Sequence, residues 1–280
     1  LRGLIQPEAL VASITAGAAL AGTPRQFTLF RVADAEGECV AVMDRKQEAI
    51  AKALGGGHRV IRGVAGSGKT LILVYRARLL ARANPTRHYL VTCYTRTLAG
   101  ELRQLLAGSR NVEVENLDRV MASTIHDAGL THPGYGDDPG GEQVAAVALR
   151  ALTMGYGPRY AGVLLDEAQD FATGALRFTV GLLEPGEGDL VVVADAAQNI
   201  FRRKFSWRQA GIQAQGRTRI LRANYRNTRE ILEFACRFLA ASKQLAFAEA
   251  PDEEDENALI PPETALRAGP KPEVFVAGGV

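Results

Sequence analysis

Short runs of consecutive apolar residues, separated by stretches with helical periodicity, set the pattern of this chain. The runs Arg59-Val-Ile-Arg-Gly63, His88-Tyr-Leu-Val-Thr-Cys-Tyr94, Gly162-Val-Leu-Leu-Asp166 and Asp189-Leu-Val-Val-Val-Ala-Asp195 read as buried parallel strands. Helical patterns run from Arg45 to Leu54, closed by Gly55-Gly56-Gly57, and again from Leu71 to Leu80. Strands alternating with helices predict an α/β domain in three layers, a parallel sheet with helices on both faces. Residues 1–25 are Ala-rich and read as helical. After them, Gln26-Phe-Thr-Leu-Phe-Arg-Val32 and Glu38-Cys-Val-Ala-Val-Met43 read as two strands around a turn at Ala35-Glu36-Gly37.

The same pattern divides the chain. Residues 1–43 are expected to be a lead-in from an upstream region, and residues 44–248 the main domain. Gly- and Pro-rich loops occur at 133–141 and 184–188. The acidic run Glu249-Ala-Pro-Asp-Glu-Glu-Asp-Glu256 with Pro261-Pro262 marks 249–271 as a solvated linker. Residues 272–280, beginning Pro272-Glu-Val-Phe-Val-Ala277, read as the opening strand of a further domain. A chain that starts at Leu1 is expected to be a piece of something longer.

Composition narrows the class. With 280 residues, 47% of them hydrophobic, the chain can bury a large core. A net charge of only +2 means that any nucleic-acid site must be local. Cys39, Cys93 and Cys236 are scattered and form no C-x-x-C, which argues against a zinc site and for a reducing compartment. No apolar run approaches the roughly 20 residues of a membrane span. A cytoplasmic location without membrane association is the expectation.

The chemistry centres on Gly63-Val-Ala-Gly-Ser-Gly-Lys-Thr70, which fits the phosphate loop G-x-x-x-x-G-K-[ST] and lies between a predicted strand and a predicted helix. Gly63, Ala65, Gly66, Ser67 and Gly68 let backbone N–H groups and a helix N-terminus face phosphate oxygens. Lys69 brings charge to the β/γ-phosphates, and Thr70 can ligate Mg²⁺. The run Val163-Leu-Leu-Asp166-Glu167 ends a buried strand in two adjacent acids. Asp166 can hold Mg²⁺ beside Thr70, and Glu167 can deprotonate an attacking water. Arg226 is a planar cation able to stabilise charge on a transferring phosphoryl group. Asp195 and Gln198 follow a buried strand near the point where the loop and Asp166 converge; a cap on the next helix is the alternative for Asp195.

Together these segments resemble the UvrD/Rep-like superfamily-1 helicases, from about Asp44 to Ala235. Asp44-Arg-Lys-Gln47 resembles the motif whose glutamine reads adenine. Asp166-Glu-Ala-Gln-Asp170 is close to D-E-x-Q-D. Ala194-Asp195-Ala-Ala-Gln198-Asn-Ile-Phe201 is similar to G-D-x-x-Q-S-I-Y, whose glutamine senses the γ-phosphate. Leu221-Arg-Ala-Asn224-Tyr225-Arg226 looks like L-x-x-N-Y-R, in which the tyrosine stacks on adenine and the arginine reaches the γ-phosphate. The resemblance implies a RecA-like P-loop NTPase fold, ATP and Mg²⁺ as ligands, and catalytic roles for Lys69, Glu167, Gln198 and Arg226.

On the nucleic-acid side, Cys93-Tyr94-Thr95-Arg96 resembles T-F-T-N, and Ser123-Thr124-Ile125-His126 resembles T-x-H. Aromatic, hydroxyl and cationic groups together suit sequence-tolerant binding of a single strand; a core tyrosine and a buried histidine read the same residues structurally. Arg202-Arg-Lys-Phe-Ser-Trp207-Arg208 interleaves rings with charge, with Trp207 or Phe205 as the stacking ring. A solvated basic loop is the alternative there.

Leu71 stands where many relatives carry arginine, and Ala194 replaces the motif glycine. The interval from His126 to Asp166 leaves room for only a vestige of the helical subdomain that many relatives insert. Nothing after Arg226 resembles the later motifs of the second motor domain. The resemblance therefore implies the first RecA-like motor domain of an ATP-dependent DNA helicase, a 3′-to-5′ translocase on single-stranded DNA. Its partner would be a second RecA-like domain of a longer parent chain. A nucleotide-switched binding module without useful turnover and an RNA-directed motor fit the same residues. The stretch from the lead-in to Gly68 also resembles helicases that carry an upstream nuclease-related domain.

Overall fold

The computed structural model describes residues 27–34, 37–136, 141–186, 188–195, 207–241 and 264–273. Strands β1 (Phe27–Asp34) and β2 (Gly37–Asp44) form an antiparallel hairpin in register from Phe27–Asp44 to Asp34–Gly37, as the alternating pattern predicts. Helix α1 (Arg45–Ala53) follows directly.

The main body alternates strand and helix: β3 (His58–Gly63), α2 (Lys69–Ala83), β4 (Tyr89–Cys93), α3 (Arg96–Leu105), β5 (Val112–Asn116), α4 (Leu117–Asp127), α5 (Glu142–Thr153), β6 (Gly162–Leu165), α6 (Thr173–Gly181), β7 (Asp189–Ala194) and β8 (Thr218–Leu221). Strands β3 to β8 make one six-stranded parallel sheet in the order β5-β4-β6-β7-β3-β8. This is the P-loop NTPase architecture, a parallel sheet between two layers of helix.

Both faces of the sheet are buried, and period-2 alternation sorts the side chains between them. Val163 and Leu165 of β6 join Leu90, Val192, Ile125 and Leu176 in one core, under α4, α5 and α6. Leu164 points the other way and packs with Ile61, Val91, Val193, Ile72 and Leu102 under α2 and α3.

The strand order positions the chemistry. Strand β7 lies between β3, which leads into the phosphate loop, and β6, which ends at Asp166. In a parallel sheet all the carboxyl ends share one edge, so the loop, Asp166 and Asp195 gather there.

Two features depart from the sequence reading. Strands β5 and β8 flank the sheet with charged or polar positions, Glu113 and Glu115 on one and Thr218 and Arg219 on the other, and so lack the apolar run that marks the inner strands. Beyond β8, strand β9 (Ala223–Thr228) leaves the main sheet after only Arg222 and pairs in parallel with β10 (Thr264–Arg267), with helix α7 (Arg229–Ala241) between them in the chain. The expected 249–271 linker therefore contains a strand, and the expected domain spanning 44–248 divides between two sheets. Residues 1–26 and 274–280, where a lead-in helix and a further strand are expected, lie outside the described residues.

Among the described residues no helix is long and apolar enough to cross a membrane.

Two predictions follow from the packing. Leu164 is fully buried at the centre of the sheet, so Leu164→Ala is expected to cost about 2–5 kcal/mol in urea denaturation. His58 Nδ1 accepts the Gln213 N–H at 3.0 Å, which requires a neutral ring. Burial, and then the Arg217 charge, lower its pKa from the usual 6.5. The stabilisation is complete above that value and is lost as pH falls through the lowered folded value. Between pH 7 and 5 the melting temperature of the wild type should therefore fall more steeply than that of His58→Gln.

Candidate functional site

The loop from Gly63 to Gly68 connects β3 to α2, and its curl depends on glycine at two positions. Gly66 and Gly68 have φ of +73° and +82°, a region open to glycine at no steric cost. A Cβ on Gly68 would lie 2.0 Å from Gln47 Nε2, and one on Gly66 would lie 2.6 Å from Arg226 Cβ. Space as well as φ therefore selects glycine.

Gln47, on α1, is buried and donates from Nε2 to Ser67 O at 2.8 Å, bracing the loop from behind. From the opposite side Asn224 is fully buried and donates from Nδ2 to Ala65 O at 2.7 Å, while the Tyr225 N–H donates to Gly66 O at 2.9 Å. Asn224 Oδ1 accepts from the N–H groups of Arg226 and Asn227, which fixes its amide orientation. Sequence reading took Asn224 only as a motif letter. As the buried clamp between β9 and the loop, it is the residue that reading missed.

Lys69 opens α2 and is buried, with Nζ donating to Gly63 O (3.0 Å), Val64 O (3.1 Å) and Asp195 Oδ2 (3.2 Å). Thr70 Oγ1 donates to Asp166 Oδ2 at 2.7 Å. Asp166 is fully buried; burial, reinforced by the Glu167 charge, pushes its pKa up to about 6. Glu167 has φ +52°, the one positive value outside glycine among the described residues, a conformation that concentrates at functional sites. Its Oε2 accepts from Gln169 Nε2 at 2.6 Å, and Gln169 Oε1 accepts the Asp195 N–H at 3.0 Å.

The structure thus brings together Gln47, Gly63, Ala65, Gly66, Ser67, Gly68, Lys69, Thr70, Asp166, Glu167, Tyr225 and Arg226. Asp195 holds Lys69 rather than serving only as a helix cap. Gln198 lies outside the described residues.

The expected nucleic-acid residues divide. Thr95 and Arg96 are exposed at the carboxyl end of β4, where Thr95 Oγ1 caps α3 by accepting the Leu98 N–H. Tyr94 is half-buried, its ring edge-on to Phe171 at 5.4 Å. His126 is 90% exposed and Arg208 is exposed. Thr124 and Trp207 correct the expectation. Thr124 is fully buried, its hydroxyl returned to Val120 O at 2.8 Å within α4. Trp207 is buried in the core under α4 to α6, where the ring fills apolar space instead of presenting a face to a base. Phe205 lies outside the described residues.

The donor set fits a phosphate-bearing ligand. Ser67 Oγ is buried with no hydrogen-bond partner among the described residues, and the glycines leave the loop without side chains that would fill the cradle. Thr70 and Asp166 supply two hard oxygens. Among the described residues no group of three or more histidine, cysteine or carboxylate side chains is arranged to hold a metal ion. Two protein oxygens suit Mg²⁺, which completes its shell with water and substrate phosphate.

Fold and loop define a P-loop nucleotide-binding domain. Residues 46–204 match the AAA domain family, and the chain belongs to it. No curated protein matches. Among solved structures the chain is similar to domain III of the replication initiation protein DnaA from Thermotoga maritima, with 13% identity, 73% of this chain and 70% of that one covered, and a TM-score of 0.37. It is also similar to Pif1 helicase from Candida albicans, with 19% identity, coverage of 75% of this chain and a TM-score of 0.41. The chain spans 50% of the length of that Pif1 chain.

The Gly68 contact makes a direct test. Gly68→Ala is expected to lose about 1–3 kcal/mol of stability in chemical denaturation, from backbone strain alone, plus the clash with Gln47. Adding Gln47→Ala should recover only the part due to the clash.

Proposed function

We propose that this chain is the ATP-binding motor domain of an ATP-dependent DNA helicase that translocates on single-stranded DNA. The observation that carries the reading is the seating of β9 on the phosphate loop. A strand of the second sheet delivers Asn224, Tyr225 and Arg226 to the loop that holds Lys69. A nucleotide held there would be bordered by groups from both sheets, the arrangement that lets its binding and loss move one sheet against the other.

Each side chain then has a task. Lys69 leaves the loop carbonyls for phosphate oxygens, and the N–H groups of Gly66 to Thr70 surround them. Thr70 and Asp166 would hold Mg²⁺, which when bound neutralises phosphate charge. Glu167 orients the attacking water and takes its proton at the carboxylate. Arg226 stabilises charge on the transferring group, Gln198 senses it, and Gln47 and Tyr225 border the base. Tyr94, Thr95, Arg96, His126 and Arg208 form the single-strand side, with the second RecA-like domain supplied by a parent chain. Motor-type coupling is favoured over a nucleotide switch because a base, Glu167, stands beside the metal acid. The 3′-to-5′ direction and the choice of DNA over RNA rest on the resemblance of the motifs.

Binding and hydrolysis of Mg·ATP, with and without single-stranded DNA, test the reading. Lys69→Ala is expected to weaken nucleotide binding tenfold or more. Glu167→Gln should leave affinity within about twofold and reduce any turnover by ~100-fold. Nucleotide binding that is indifferent to Lys69→Ala would sink the assignment. An RNA oligonucleotide of the same sequence should stimulate less than the DNA, since only the sugar differs.

A further inference from the structure

Three strand ends meet at the site, and one buried amide bridges two of them. Gln169 lies in the short 3-10 turn Ala168–Asp170 after β6, 2% exposed. Its Nε2 donates to Glu167 Oε2 at 2.6 Å, and its Oε1 accepts the Asp195 N–H at 3.0 Å. The amide orientation is dictated by these partners. Turned over, it would set oxygen against carboxylate and NH₂ against N–H. Among uncharged side chains of this length only an amide offers a donor and an acceptor at one end, so neither methionine nor glutamate reproduces both bonds.

Asp195 also holds Lys69, through Oδ2 at 3.2 Å. Three hydrogen bonds, joined through the covalent frame of Asp195 from carboxylate to backbone N–H and through the Gln169 amide, therefore connect Lys69 to Glu167 across the end of β7, the strand between the loop strand and the acid strand. Glu167 needs such a tether. Its backbone is left-handed, at φ +52°, and the residue is only partly buried, so packing alone does not fix the direction of the acceptor oxygen.

We propose that Gln169 is a positioning residue that ties the carboxylate of Glu167 to the end of β7, so that the base is aligned according to whether Lys69 rests on Asp195 or on phosphate. The proposal builds on the ATP-hydrolysing reading above. When Lys69 transfers to a phosphate, Asp195 loses a cationic partner, and the shift of its backbone is passed through the amide to the base.

Turnover and nucleotide affinity, measured together for the chain, Gln169→Met and Gln169→Glu, test it, with backbone amide exchange at Asp195 as a readout independent of turnover. Gln169→Met keeps the length of the side chain but neither bond. Its turnover should fall tenfold or more, its affinity for Mg·ATP stay within twofold, and its Asp195 amide exchange at least tenfold faster. Gln169→Glu keeps the acceptor for the Asp195 N–H but sets a carboxylate against Glu167. Exchange should stay at the wild-type rate while turnover falls as in the methionine variant. Unchanged turnover in both variants overturns the proposal, as does unchanged Asp195 exchange in Gln169→Met when turnover is too slow to measure. A wild-type chain with no affinity for Mg·ATP overturns the parent reading and the proposal with it; that affinity separates the two failures.

Discussion

The ammonium of Lys69 is buried, and burying such a group costs several kcal/mol unless acceptors replace the water it gives up. Here Gly63 O, Val64 O and Asp195 Oδ2 do so. This one requirement shapes much else. The loop must curl tightly enough to turn two successive carbonyls onto the start of α2, which calls for glycine at positive φ. The sheet must set β7 beside β3, so that Asp195 arrives at the same edge. Gln47 and Asn224 then hold two further loop carbonyls, Ser67 O and Ala65 O, and the Tyr225 N–H holds Gly66 O.

A second buried charge lies on the far side of β7, at the end of β6. Asp166 is fully enclosed, and its raised pKa records the cost of that enclosure, lessened by the hydrogen bond from Thr70 and by Lys69. A fold that carries a buried acid and a buried ammonium at one edge gives up stability to keep both groups out of water. That sacrifice is made locally, because the two clusters on the faces of the sheet are built almost wholly of apolar side chains. Structure and chemistry are divided between the middle of the sheet and its carboxyl edge.

Most of this edge was legible in the sequence because its residues are close together in the chain or follow buried apolar runs. Gly63 to Thr70 and Val163 to Glu167 carry their strand and their chemistry in the same few letters. What was not legible depended on distant pairing. Strand β5, with Glu113 and Glu115, lies at an edge of the sheet and so carries polar positions. The change of sheet between Leu221 and Ala223 occurs across one residue, with no glycine, proline or shift of composition to announce it. Trp207 stands beside basic residues in sequence, yet the apolar space under α4 to α6 claims its ring. The partners of Gln47 and Asn224 are loop carbonyls, and carbonyls leave no trace in the identity of a residue.

The seating of β9 gives the molecule an unusual joint. A hinge between two lobes can be any pliable stretch, remote from the reaction and indifferent to it. Here the second sheet is attached to the first at Ala65 O and Gly66 O, acceptors that belong to the nucleotide loop itself. The attachment point and the phosphate loop are then made of the same atoms. The loop and the second sheet therefore share these hydrogen bonds, and α7 and β10 follow in the chain after the strand that makes them.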